Sequence, residues 1–219
     1  MRKASSILRS RKAAALLTPL VAALVVVIAY VCVNAGRHNF HTVSPGVLYR
    51  SAQMSGEQFK EAIRDHGIKT IINLRGVNND PWYFSETNAA HELGIAHYDF
   101  PLSASQEVSN EEMEKILDVM NAAPKPILLH CKNGADRSGL FSALYLYGIE
   151  GKPAGEAGRE LTIFCFHFPY LLWRDTVAMD HSFQRFVDAH VRTNQTPDGK
   201  KALLPKTEAA SVAIGQAAQ

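Results

Sequence analysis

The stretch that most limits how this chain can fold runs Ile127-Leu128-Leu129-His130-Cys131-Lys132-Asn133-Gly134-Ala135-Asp136-Arg137-Ser138-Gly139. In it one apolar run stops at a cysteine, and another, Leu140 to Tyr147, starts just past an Arg-Ser-Gly. That order reads as a buried strand, a tight turn and a buried helix. In such a turn the backbone N–H groups and the positive end of the helix converge on one point, and a phosphate suits that point.

Each side chain of the turn has a chemical reason to be there. The thiolate is the nucleophilic form of cysteine, and a helix N-terminus beside a guanidinium lowers the thiol from its free value of about 8.5, so Cys131 is expected to be ionised at neutral pH. Five residues separate Cys131 from Arg137. That is enough for Lys132, Asn133, Gly134 and Ala135, with Gly139 just beyond, to surround phosphoryl oxygens while Arg137 offers a planar fork to two of them. Gly134 lets the turn take a positive φ and lets the backbone approach the ligand. Ser138 is placed to hydrogen-bond the sulfur and make it a better leaving group in a second step. His130, at the strand end, is placed to fix the thiolate from behind.

His-Cys, five residues, then Arg-Ser-Gly resembles the signature of the cysteine-dependent protein-tyrosine and dual-specificity phosphatases. The segments Leu48-Tyr49-Arg50-Ser51-Ala52-Gln53, Ile71-Ile72-Asn73-Leu74-Arg75-Gly76 and Phe100-Pro101-Leu102 look like the front half of the bacterial and the fungal or plant atypical members, so the likeness covers about Val47 to Val191. The resemblance implies attack of Cys131 on phosphorus, stabilisation of the equatorial oxygens by the loop amides and Arg137, and hydrolysis of the phosphocysteine by water, with no cofactor. It implies a phosphorylated protein as substrate, with an inositol phosphate or a phosphoinositide as the alternative. Two readings from other classes are a phosphate-binding module without turnover and a sulfurtransferase. Rhodanese-like loops also hold a Cys around an anion, but they do not usually end in this Arg-Ser-Gly helix start.

The family usually draws the leaving-group proton from an Asp on the loop before the helix that precedes the Cys strand. Here that segment, Leu102 to Ser109, contains no Asp. Three carboxylates are candidates, in the order Asp136 within the turn, Glu107 on the preceding loop and Asp99 at a strand end; an Asp before the Arg resembles myotubularin-like lipid phosphatases. Arg50, Arg75 and His167 are candidate rim residues whose bland reading is structural. Phe164, Phe166, Phe168, Tyr170 and Trp173 form an aromatic cluster expected to pack the core or cover the site.

With 219 residues there is room for one domain and an extension, and the net charge of +2 rests on the basic N-terminus, which leaves no broad face for nucleic acid. The Cys residues at 32, 131 and 165 make no disulfide framework, and no cluster has metal-ligand spacing, so no metal is expected. Cys165 is the other thiol of the domain; its apolar neighbours suit a buried thiol, and a reversible bridge to Cys131 is the sharper reading.

Residues 1–12 hold Arg2, Lys3, Arg9, Arg11 and Lys12, and residues 13–35 hold no charge. Such a run after a basic start predicts a membrane anchor with its start in the cytoplasm. Val33-Asn34-Ala35 before Gly36 leaves a cleaved signal, and hence a secreted domain, as the alternative. Either way a domain spanning 37–193 lies across the membrane, in the periplasm of a Gram-negative cell, followed by a mobile tail over 194–219.

From Val47 onward strand and helix patterns alternate. Strands are predicted at Val47–Arg50, Lys69–Leu74, Ile95–Phe100 and Pro126–His130, and helices from Ser55 to Gly67, Pro81 to Leu93 and after Ser109. Ser55 with Gln58 and Ser109 with Glu112 make capping boxes, and Met113, Ile116, Leu117 and Met120 share one face. Two more helices are predicted, Pro153–Phe164 and Asp180–Arg192 with Asp180 as N-cap. The pattern is α/β: a mostly parallel central sheet flanked by helices, with the phosphate loop between a strand and a helix at the sheet's C-terminal edge.

Overall fold

A computed structural model describes residues 2–169 and 174–194, which form parts of two compact units, Met1–Arg37 and His38–Gln219. Tyr170 and Trp173 of the aromatic cluster, and the predicted tail from residue 195 on, lie outside the described residues. The first unit holds one helix, α1 (Arg2–Gly36), which continues through Pro19. Its side chains are described from Thr18, so residues 13–17 of the predicted anchor lie outside that set. Leu20, Val21, Leu24, Val25, Val26, Val27 and Ile28 are all exposed. Among the described residues no helix is long and apolar enough to cross a membrane.

The second unit is built on a five-stranded sheet in the order β1-β2-β5-β3-β4. The strands are β1 (His41–Ser44), β2 (Leu48–Ser51), β3 (Thr70–Asn73), β4 (Ala96–Asp99) and β5 (Ile127–His130). β5 lies in the middle, parallel to both β2 and β3, and β3 is parallel to β4. Only β1 runs antiparallel, against β2, with an irregularity between Thr42 and Ser44. This strand was not anticipated, because its side chains are only partly buried and carry no alternating signal.

Alternation along the strands feeds two cores. Leu48, Ile72, Ile127 and Leu129 join one cluster with α4 (Asn110–Ala122), α5 (Asp136–Gly148) and α7 (Val177–Asn194). Tyr49, Ile71 and Leu128 join the other, against Phe59 and Ile63 of α2 (Gly56–His66) and Ala89 and Ala90 of α3 (Pro81–Glu92). Both faces of the sheet are covered, as a parallel sheet requires. Met113, Ile116, Leu117 and Met120 are fully buried, as their spacing predicts. On α5, Leu140, Phe141 and Leu144 are fully buried too, each worth about 1.5–3 kcal/mol on leaving water. The helix carrying the loop's arginine is therefore fixed by the core.

The helix starts follow their caps. Ser55 and Gln58 form the reciprocal box, and Gly67 ends α2 in the left-handed region. At α4 the Ser109 side chain accepts from the Glu112 amide. Two predicted elements need correction. Instead of one helix over Pro153–Phe164 there are a single turn, α6 (Ala154–Ala157), and 3-10 turns at Gly158–Leu161 and Ile163–Cys165. Gly155 and Gly158 are poor helix formers, and Arg50 Nη1 takes the Glu160 carbonyl at 2.9 Å, which a continuing helix would give to the Phe164 amide. α7 begins at Val177, so Asp180 lies inside its first turn rather than capping it; its carboxylate bonds a side chain elsewhere.

Candidate active site

β5 ends at His130, and the loop Cys131–Ala135 leads straight into α5. The loop's shape is set from behind through its carbonyls. The Gln53 amide donates to Lys132 O at 3.2 Å. Asn39 Nδ2 donates to Asn133 O and Gly134 O at 3.0 and 2.9 Å. Arg50 Nη2 donates to Gly134 O and Ala135 O at 2.8 and 3.1 Å. A peptide whose carbonyl is drawn one way presents its N–H the other way, so these contacts turn the loop amides toward the space over Cys131. Gly134 has φ +65°, and a Cβ there would come within 2.4 Å of the Ala52 nitrogen. The expectation of a glycine-only turn thus has both a conformational and a steric cause.

Cys131 is 2% exposed, and its Sγ lies 3.4 Å from Ser138 Oγ, the contact expected of a leaving-sulfur donor. Burial pushes the thiol up, but the Arg137 charge and the Ser138 hydroxyl and amide outweigh it, and the net shift is downward. Arg137 Nη1 is held by the carbonyls of Leu102 and Leu74 at 2.9 and 3.2 Å. Its Nε is buried with no hydrogen-bond partner among the described residues. An unpartnered guanidinium N–H beside a thiolate and a ring of amides is a place for an anion. Lys132 and Asn133 extend their side chains into solvent.

The three candidate carboxylates lie in different settings. Asp136 Oδ1 accepts from His167 Nδ1 at 2.7 Å, and His167 Nε2 bonds Asp180 Oδ2 at 2.8 Å. Glu107 is engaged by Arg185 and His181 from α7. Asp99 accepts from Asn73 Nδ2 and the Tyr83 hydroxyl, both at 2.7 Å. Of the candidate rim residues, Arg50 is fully buried behind the loop and His167 is 1% exposed. Burial alone would lower His167, yet the two carboxylates raise it to about 9.

Arg75 alone of the three keeps a rim position. Its guanidinium lies 3.6 Å from the Trp82 ring centroid, and Nη1 donates to Gln53 Oε1 at 3.1 Å. Burial and the neighbouring Arg137 charge lower its pKa.

Sequence reasoning missed the hub beneath the site. Glu86, on α3 and fully buried, accepts from His130 Nε2 at 2.9 Å, His97 Nε2 at 2.8 Å and Gln53 Nε2 at 2.8 Å. Burial would raise Glu86, but the His130 charge and these hydrogen bonds bring it down to about 2. His130, expected to fix the thiolate, is bonded to this carboxylate, and its Nδ1 is buried with no hydrogen-bond partner among the described residues. The ties from the Asn39 side chain and the Gln53 backbone N–H were missed as well, since a single N–H holding a distant carbonyl leaves no periodic trace. Cys165 is half-buried, and burial raises its thiol. Among the described residues no group is arranged to hold a metal ion.

Comparison with known proteins agrees with this geometry. A family model described as "DSP-PTPase phosphatase fused to NAD+ Kinase" matches residues 24–161. The dual specificity protein phosphatase TpbA of Pseudomonas aeruginosa is 28% identical over 115 residues, 52% of this chain and 48% of that protein. The tyrosine-protein phosphatase cdc-14 of Caenorhabditis elegans is 26% identical over 121 residues, 55% of this chain and 16% of that one. The chain thus spans about half the length, or less, of these curated relatives. The crystal structure of P. aeruginosa TpbA shares the fold with TM-score 0.52 at 24% identity, over 69% of this chain and 92% of that one. The core catalytic domain of the PP-IP phosphatase SIW14 from S. cerevisiae shares it with TM-score 0.53 at 23% identity, over 73% and 94%. With the Cys131–Arg137 loop inside the matched region, the chain belongs to the cysteine-dependent dual-specificity and tyrosine phosphatase superfamily.

Proposed function

We propose that this chain is a phosphate monoester hydrolase that works through a phosphocysteine intermediate. The observation that carries the reading is the loop itself: a buried cysteine with a lowered pKa, hydroxyl-supported by Ser138, under amides turned inward by Asn39, Arg50 and Gln53. Cys131 attacks phosphorus, and the loop amides with Arg137 Nε bind the equatorial oxygens as charge builds on them. Ser138 then stabilises the departing thiolate when water cleaves the P–S bond. Asp136 is the carboxylate of the loop itself and is assigned the proton-handling role, since both oxygens of Glu107 and of Asp99 are engaged, whereas His167 takes only Oδ1 of Asp136.

A phosphoprotein, phosphotyrosine above all, is the first substrate reading, supported by a TpbA variant whose crystal structure holds pTyr. A polyphosphorylated inositol is the second, favoured by the Arg75 cation beside Arg137. The uncharged run 13–35 and the exposed apolar side chains of α1 support an anchor that sets the domain outside the cytoplasm. An alkaline phosphatase reporter fused after Thr193 is expected to be active, and a fluorescent cytoplasmic fusion would overturn that topology.

The test of the activity is turnover of p-nitrophenyl phosphate, phosphotyrosine peptides and inositol polyphosphates by the full chain and by Cys131→Ser. The variant is expected to bind vanadate and to hydrolyse nothing. Vanadate binding without turnover in the wild type would instead mark a binding module, and cyanide-dependent thiocyanate release from thiosulfate a sulfurtransferase.

A further inference from the structure

The His167 ring is buried and bridges two carboxylates, Asp136 Oδ1 at 2.7 Å and Asp180 Oδ2 at 2.8 Å. Two such bonds need two protons, and a neutral imidazole carries only one. A protonated carboxylate would be the other source of the second proton, but the two carboxylates raise the ring to about 9, so His167 sits there as the imidazolium, donating from both nitrogens, and Asp136 is an acceptor. Its remaining oxygen, Oδ2, makes no hydrogen bond among the described residues, and the side chain keeps 14% exposure. The residue stands one position before Arg137, and its charge opposes ionisation of the Cys131 sulfur, so it lies within electrostatic reach of that sulfur. The groups facing it are His167, Cys131 and Arg137, with Asp180 of α7 on the far side of the imidazole.

We infer that Asp136 is the general base of the second half-reaction rather than the acid of the first, and that His167 is the positioning residue that keeps it a fixed acceptor. This rests on the hydrolase reading. In the step assigned to it, a water proton moves to the Asp136 carboxylate while the water oxygen bonds to phosphorus. The P–S bond breaks, its electron pair returns to Cys131 as thiolate, and the proton then passes to solvent. The first step consequently relies on leaving groups that depart as anions, aryl or phosphoryl oxygens in preference to alkyl ones. That preference fits the absence of an Asp between Leu102 and Ser109.

Rapid-quench kinetics with p-nitrophenyl phosphate, combined with intact-mass detection of the phosphocysteine, test the assignment. Asp136→Asn is expected to release nitrophenolate in a burst equal to the enzyme present, to accumulate phosphate on Cys131 and to lose its steady-state rate by roughly 10²–10⁴-fold, the range of general base catalysis. His167→Gln, which keeps an N–H donor group but no charge, is expected to show the same burst with a smaller loss, and unchanged vanadate binding shows the loop intact in both. A burst rate that falls together with the steady state, most for an alkyl phosphate, would make Asp136 the first-step acid and overturn the inference. So would an undiminished decay of phosphocysteine in either variant. No phosphocysteine in any form, wild type included, would sink the hydrolase reading and this inference with it. Its formation in the wild type without accumulation in Asp136→Asn would sink the inference alone.

Discussion

Arg50, with no exposed surface, reaches the Gly134 carbonyl through Nη2 at 2.8 Å and the Glu160 carboxylate through Nη1 at 2.6 Å. One buried guanidinium thus joins the phosphate loop to the turn after α6. Removing one partner of a buried pair costs about 3–5 kcal/mol, because the other is left unpaired. Arg50→Met is expected to lose that much in urea denaturation and to weaken vanadate binding, as two loop carbonyls are released. Glu160→Gln should cost less, since Arg50 keeps its carbonyl acceptors.

Gly134→Ala tests the loop's shape. The new methyl would meet the Ala52 nitrogen at 2.4 Å and the Ser51 carbonyl oxygen at 2.8 Å, both backbone atoms, at a φ of +65°. Neither neighbour is a flexible side-chain end that can swing away. The expected outcome is a cost of about 1–3 kcal/mol from backbone strain alone and loss of most turnover, read from the denaturation midpoint and kcat/KM together.

Stability should depend on pH in a stated sense. His97 and His167 are raised to about 9 in the folded protein, from an ordinary value of about 6.5. Their contribution is fully present below about pH 6.5 and is lost as the pH rises through about 9. Glu86, brought down to about 2, contributes above about pH 4.5 and loses its contribution as the pH falls through about 2. Denaturation midpoints at about pH 5.5, 7.5 and 9.5 should fall in that order, and His97→Gln should flatten the alkaline decline. A rising series would contradict the His97–Glu86 and His167–Asp136 contacts.

The central strands and the loop were legible because their causes are local. An unbroken apolar run marked Ile127 to Leu129 as a buried strand, and Cys131, Gly134, Arg137 and Ser138 each carry a chemical signature at fixed spacing. Glu86 and Asn39 were not legible, since each acts on residues dozens of positions away and is an ordinary polar residue within its own segment. The turns after Pro153 failed for the same reason: Arg50, a hundred-odd residues earlier, claims the Glu160 carbonyl a helix would need. Asp180 was misassigned because α7 starts three residues earlier, at Val177, right after the polar pair Asp175-Thr176.

Arg75 is expected to sort substrates. Charge-assisted hydrogen bonds are worth about 1.5–3 kcal/mol, so Arg75→Ala should raise KM by about ten- to a hundredfold for a substrate with a second phosphate near the first. For p-nitrophenyl phosphate, which has none, KM should barely move. Equal effects on both would mean that Arg75 only neutralises the mouth of the site.

In the proposed mechanism the grip on phosphate comes from main-chain amides, and the groups that shape them, Asn39, Arg50 and Gln53, all lie outside the loop. Lys132 and Asn133 hold their positions through carbonyls, while their side chains point to solvent. The two functions of the loop, holding the anion and meeting the rest of the substrate, are thereby carried by different atoms of the same residues. Positions 132 and 133 can then drift, or be randomised in a library, with affinity for the phosphate itself conserved. On the proposed function, substrate preference at this site is then open to change in single mutational steps that leave the chemistry running.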